Sequence, residues 1–75
     1  MMKYTKKIYK ILNYIKEKGE IIQYDLFRDS ICSMDYASIL VNRLEENGLI
    51  LVERKGNKKN ISLSPKGIEA LNNPK

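Results

Sequence analysis

Four cations fall within six positions of this chain, Arg54, Lys55, Lys58 and Lys59, broken only by Gly56-Asn57. Ahead of them lies a second set: Ser33, Asp35, Tyr36, Ser38, Ile39, Asn42 and Arg43. These residue types perform no bond-making together; they recognise. Lysine and arginine neutralise phosphates. Asparagine and serine exchange hydrogen bonds with planar groups such as base edges, and isoleucine or a tyrosine ring can meet a methyl. Covalent chemistry has little to work with. There is no histidine, and Cys32 is the single cysteine. A His-based triad, a proton relay, a Cys/His metal site and an intrachain disulfide are all excluded. No nucleophile–base set and no phosphate-cradling glycine loop is visible, so neither an enzyme nor a cofactor is expected. Cys32 reads as a small apolar filler, with a redox role as the alternative.

The elements that must position these groups are few. The chain has 75 residues, 43% of them hydrophobic and 31% charged, which fits one globular domain over residues 1–75. A domain of this size buries only about 60% of its unfolded surface. Net charge is +5, and it is unevenly placed. Residues 1–18 carry +5, residues 19–52 carry −4 and residues 53–75 carry +4. Such a balance favours an anionic partner, and nucleic acid first among them. No apolar run is long enough to span a membrane, and the lysine-containing start lacks a signal-peptide apolar core, so a cytoplasmic setting is expected.

Tyr4, Ile8, Ile11, Leu12 and Ile15 recur at spacings of three and four. That stripe predicts a helix over residues 5–18, capped by Thr5 and ended at Gly19. Lys3, Lys7 and Lys10 fall on another face of it. Glu20-Ile21-Ile22 reads as a short strand of about one bridge. A poorly capped second helix follows over residues 23–29, with Leu26 and Phe27 toward the core, and Ser30-Ile31-Cys32 makes the turn. Ser33 caps a third helix over residues 33–47, whose inward stripe is Ala37, Leu40, Val41 and Leu44. Asp35 suits its first turn, and Gly48 ends it. Residues 49–54 and 60–63 read as antiparallel strands joined by the basic turn. Ser64-Pro65 then opens a short last helix over residues 65–71, with Ile68 and Leu71 closing over the core.

With these residues placed, the chain resembles the winged helix-turn-helix superfamily of DNA-binding regulators, in the style of MarR-like and PadR-like repressors and small archaeal or viral winged-helix proteins. The likeness rests on Asp25-Leu26, Ser33, the run Arg43-Leu44-Glu45-Glu46-Asn47-Gly48-Leu49-Ile50 and the run Ile61-Ser62-Leu63-Ser64-Pro65-Lys66-Gly67. It covers nearly the whole chain. Three features depart from the pattern. The turn at Ser30 lacks the usual glycine, and Met34, Asp35, Tyr36 and Ile39 stand where Lys, Ser, Thr and Arg are frequent. The last helix is also shorter than a MarR-like dimerisation arm.

The resemblance implies an α+β, mostly helical fold: a three-helix core, a β-hairpin wing and a short C-terminal helix. It implies sequence-specific binding of double-stranded DNA by a repressor-like transcriptional regulator. The recognition helix would be residues 33–47 and the basic wing residues 54–60. Expected DNA contacts are Ser33, Asp35, Tyr36, Ser38, Ile39, Asn42, Arg43, Arg54, Lys55, Lys58 and Lys59. A homodimer is expected through Tyr4, Ile8, Tyr9, Leu12, Tyr14, Ile68 and Leu71, with no small-molecule ligand evident. Two alternatives stand beside this. The lysine-rich turn can be a solvated hairpin tip, and Tyr36 and Ile39 can belong to the core or to a protein interface, making the chain a winged-helix adaptor between proteins.

Overall fold

A computed structural model of the chain describes residues 5–72. The order is α1 (Lys6–Lys18), β1 (Glu20–Ile22), α2 (Gln23–Arg28), α3 (Met34–Glu46), β2 (Ile50–Lys55), β3 (Lys58–Leu63) and α4 (Pro65–Asn72). This is a mostly helical α+β fold, a winged helix-turn-helix. The expectations for Lys3 and Tyr4 fall outside the described residues.

The first helix forms as its spacing predicts. Thr5 accepts from the Ile8 N–H at 3.3 Å, and Lys16 and Lys18 occupy the last turn. Ile8, Ile11, Leu12 and Ile15 are all buried. That corrects one expectation: Ile8 and Leu12, assigned to a dimer interface, are 3% and 0% exposed inside the chain's own core. A stripe of four apolar residues on one helix is consumed by a core this thin. α2 brings a second correction. Leu26 is fully buried, but Phe27 is 47% exposed. A helix of six residues turns only one position fully inward, and Phe27 shares its outward face with Tyr24 three residues earlier. α2 starts without a side-chain cap from Ile22; instead the Asp25 carboxylate accepts from the Ile22 N–H at 3.0 Å.

The turn into α3 solves its missing-glycine problem locally. Ser30 takes the positive φ, +59°, that a glycine would otherwise supply. The N–H groups of Ile31 and Cys32 both donate to the Leu26 carbonyl, and Lys7 Nζ donates to the Ile31 carbonyl at 2.8 Å. One lysine of α1 is thereby tied to the turn rather than left in solvent. Cys32 packs half-buried beside the core, and burial pushes its thiol pKa up, away from the reactive thiolate.

The three strands form one antiparallel sheet in the order β1-β3-β2. β1 makes three residue pairs with β3, Glu20 with Ser62, Ile21 with Ile61 and Ile22 with Asn60, more than the single bridge its length suggested. The hairpin is longer than expected. Its strands run through Lys55 and Lys58, leaving only Gly56-Asn57 as the turn. Strand alternation puts Ile50, Val52 and Arg54 of β2 on one face with Lys59, Ile61 and Leu63 of β3. The inner half of that face is core, and its outer half is cationic.

The end of α3 and the start of α4 lock together. Gly48 takes φ +74° just past the helix, and Leu49 N–H returns to the Leu44 carbonyl. The Ser64 hydroxyl donates to the Gly48 carbonyl and accepts from the Gly67 N–H, capping α4. Lys66 Nζ reaches the Asn47 carbonyl at 2.8 Å, while Asn47 Nδ2 donates to the Arg43 carbonyl. Gly67 is pressed against Leu49: a Cβ there would stand 2.1 Å from the Leu49 carbonyl oxygen. Leu71 packs against the core as expected, but Ile68, expected beside it, is 43% exposed, and Ala70 packs there instead.

Gly67→Ala is expected to destabilise the domain even though alanine is the better helix former. Overpacking against backbone costs about 1–3 kcal/mol, above the roughly 1 kcal/mol gained in propensity. The melting temperature by circular dichroism should fall by several degrees, about 4–8 °C per kcal/mol net. An unchanged or raised melting temperature would show that the α3–α4 junction is not tight.

Candidate nucleic-acid interface

α3 is oriented by its own periodicity. Ala37, Leu40, Val41 and Leu44 are buried. The row directly opposite, at intervals of four, three and four, is Asp35, Ile39, Asn42 and Glu46, all exposed. Ser38 and Glu45 lie on one flank of that row, and Tyr36 and Arg43 lie on the other. Ser33 caps the helix, its Oγ accepting from the Tyr36 N–H at 3.3 Å. The open N-terminal amides of a thirteen-residue helix stand beside it.

The wing meets the Ser38–Glu45 flank. Arg54 makes two hydrogen bonds to Glu45, at 3.2 Å and 3.1 Å. This forked pair marks which side of α3 faces the hairpin. Lys59 lies directly across from Arg54 on the same face of the sheet and adds its field to Glu45. Ser38 shares with Glu45 the flank of α3 that meets Arg54 and Lys59, and Asn42 stands next to that flank on the outward row. Arg54, expected as a free cationic contact, is already engaged by a carboxylate. Tyr36 and Arg43 sit across the helix from the wing. A straight ligand lying on the outward row and the wing meets them only at its margin.

The hairpin tip carries two consecutive like-charge pairs across the ladder, Arg54 with Lys59 and Lys55 with Lys58. Like charges directly opposite destabilise a sheet. Glu45 relieves Arg54 at 3.1 Å, and Glu53 relieves Lys55 at 3.3 Å. Among the described residues, Lys58 and Lys59 stand in no salt bridge. Both line an open channel of about 280 Å³ between the wing tip and the start of α2, together with Ile22, Gln23, Tyr24 and Asn57. The role of Tyr24 there was invisible in the sequence. The only signal was its position two residues after a short strand, which topology returns to the wing.

Between α1 and the end of α2, Tyr14 donates its hydroxyl to Asp29, and Arg28 bridges Asp29 and Asp25. Tyr14, expected at a dimer interface, thus ties α1 to the end of α2. Tyr9 is half-buried on the same helix. Among the described residues no group of three metal-ligating side chains is gathered, and no helix is long and apolar enough to cross a membrane.

No family model matches the sequence, and no curated protein matches it. Solved structures do match the fold. One concerns regulation of DNA binding of Bordetella bronchiseptica BpsR by 6-hydroxynicotinic acid. It aligns with a TM-score of 0.82 at 18% identity, over 91% of this chain and 50% of that one. Another is a possible transcriptional regulator for arsenical resistance, with a TM-score of 0.74 at 21% identity, over 88% of this chain and 68% of the other. At these identities the likeness establishes a shared fold. The chain spans half the length of the first and about two thirds of the second.

Two surface carboxylates, Asp29 exposed and Glu45 half-buried, carry a pH signature. The Tyr14 hydroxyl, then Arg28, hold Asp29 below the usual carboxylate range, and the Arg54 hydrogen bonds do the same for Glu45. A lowered folded pKa adds stability above the unfolded value, near pH 4, and that stability is lost as pH falls through the folded value. Stability should therefore be flat in these groups from pH 7 to about 5 and decline below about 4. Asp29→Asn and Glu45→Gln should each make the acid limb shallower in denaturant titrations. Acid limbs superimposable on that of the parent chain would refute the assignment.

Proposed function

We propose that this chain is a sequence-specific double-stranded DNA-binding module of a transcriptional regulator, repressing by occupying its site. The observation that carries this reading is the tip of the wing. Two like-charge pairs are held in register, with Lys58 and Lys59 unneutralised, beside the exposed row of a capped helix. A polyanion relieves that repulsion, and a neutral partner does not. In this reading α3 lies in a major groove. Asn42 pairs with adenine, Ser38 bonds base edges, and Ile39 or the Tyr36 ring meets a thymine methyl. Asp35 faces a cytosine amino group. Ser33 and the first amides of α3 receive one phosphate, and Arg43 receives another. Lys55, Lys58 and Lys59 hold the flanking backbone, joined by Arg54 once a phosphate competes Glu45 away.

A homodimer is part of the same proposal. Its surface excludes Ile8 and Leu12, which are spent in the core, and draws on Tyr9, Leu71 and above all the exposed Ile68. Two-fold symmetry then spaces the recognition helices about one DNA turn, roughly 34 Å. Equilibrium sedimentation should show reversible dimers at micromolar concentration; a monomer throughout would remove this part alone.

One observation favours a protein adaptor instead. Met34, Tyr36 and Ile39 are all exposed on α3, at 41%, 43% and 49%. Reversal of charge separates the two readings. Lys58→Glu with Lys59→Glu should abolish measurable duplex binding, and the parent chain should lose affinity with salt at a log–log slope of about −0.9 per phosphate contacted. Asn42→Ala should cost about 1–3 kcal/mol on a selected site and little on random duplex. Salt-independent binding, or full affinity after charge reversal, would favour the adaptor.

A further inference from the structure

We propose that the channel between the wing tip and the start of α2 seats an unpaired strand of DNA, with Lys58 and Lys59 on its phosphates and the Tyr24 and Phe27 rings under its bases. The proposal rests on the nucleic-acid reading above, and to the wing lysines of that reading it adds Tyr24 and Phe27, which a duplex on α3 leaves idle. Tyr24 and Phe27 are 51% and 47% exposed, one helical turn apart on the outward face of α2. Their ring centroids are 5.9 Å apart with planes inclined by 50°. That spacing leaves no room for a base between them, so each ring offers its outer face. Tyr24 also forms one wall of the channel, whose opposite wall is Asn57, Lys58 and Lys59. The register explains the juxtaposition. Ile22 pairs with Asn60, so the residues just after β1 and those just before Asn60 emerge side by side past the edge of the sheet. A volume of about 280 Å³ open to solvent suits a chain passing through.

The pairing of two aromatic faces with two unneutralised ammonium groups selects the occupant. Aromatic stacking needs a base with a bare face, which a duplex hides inside its own stack and an unpaired strand presents. Lysines beside the rings match the phosphates that accompany each base. A purely apolar protein segment would leave both charges desolvated and unpaired.

The test is fluorescence anisotropy of the full chain, at one stated salt concentration, with three labelled probes. These are an oligothymidylate of about ten nucleotides, an abasic strand with the same number of phosphates, and a mixed-sequence duplex. The oligothymidylate should bind at least about 5-fold more tightly than the abasic strand, since each stacked base contributes at that level or above. Tyr24→Ala and Phe27→Ala should each weaken it by about 5-fold or more, Tyr24→Phe should not, and duplex affinity should stay within about 2-fold. Tyr24→Leu and Phe27→Leu keep helix propensity and bulk while removing the ring, so they serve if an alanine variant unfolds. Equal binding of the abasic strand, or alanine or leucine variants that bind like the parent, overturns the stacking site. Duplex binding without oligothymidylate binding overturns it while leaving the regulator reading intact. Failure of both probes overturns both.

Discussion

The angle between α3 and the wing depends on one contact: the backbone of Gly48 and Leu49 wedged against Ser64 and Gly67. Helix α3 leaves its last turn there, β2 begins, β3 has just ended and α4 starts. The buried Ser64 hydroxyl serves two backbone groups at once, one from each side of the junction. Gly67 lets the α4 backbone approach to a distance no side chain permits. The chain joins the recognition helix to the far strand of the hairpin only by way of β2 and its turn, so this contact, which ties both ends of the hairpin to the helix exit, determines where the cationic tip ends up relative to Asn42 and Ser38. The Glu45–Arg54 fork then sets the fine position from outside, in solvent, where such a pair contributes little to overall stability.

The junction also explains why two short sequence runs, each unremarkable alone, carried the resemblance to winged helix-turn-helix regulators. The run from Arg43 to Ile50 and the run from Ile61 to Gly67 are the two halves of one three-dimensional contact. Apolar periodicity made α1 and α3 legible, because a stripe at three-and-four spacing has one way to be buried. Turn chemistry made Gly48 and Gly56-Asn57 legible. The second hairpin strand was read two residues short, and the first was placed one residue early, because lysines were counted as loop residues. Lysine is perfectly able to continue a ladder whose edge faces water, and a two-residue turn obliges it to.

The misreadings share a cause. Phe27 was placed inward by residue type, whereas a six-residue helix has a single inward position and Leu26 occupies it. Ile8 and Leu12 were offered to a second copy because they are large and apolar, but the core, with fourteen buried hydrophobic residues among those described, takes up both of them. Arg54 was counted with the free cations because its partner, Glu45, lies nine positions back, beyond any local pairing rule. Tyr24 went unassigned because the channel it lines is made by strand pairing across 35 or so residues. One-dimensional patterns carry burial well, and they carry the meeting of distant polar groups poorly.

The hairpin's two-residue turn constrains how this wing can change over evolutionary time. Because inward and outward positions alternate strictly, a single residue inserted or deleted between Ile61 and Lys59 in β3 would rotate Lys59 to the back of the sheet, and one between Val52 and Arg54 in β2 would part Arg54 from Glu45. Length can therefore drift only in matched pairs, one step on each arm taken twice, or through a bulge that restores parity. Relatives of this chain should show wings whose lengths cluster by parity, with odd-length variants carrying a compensating kink near the tip.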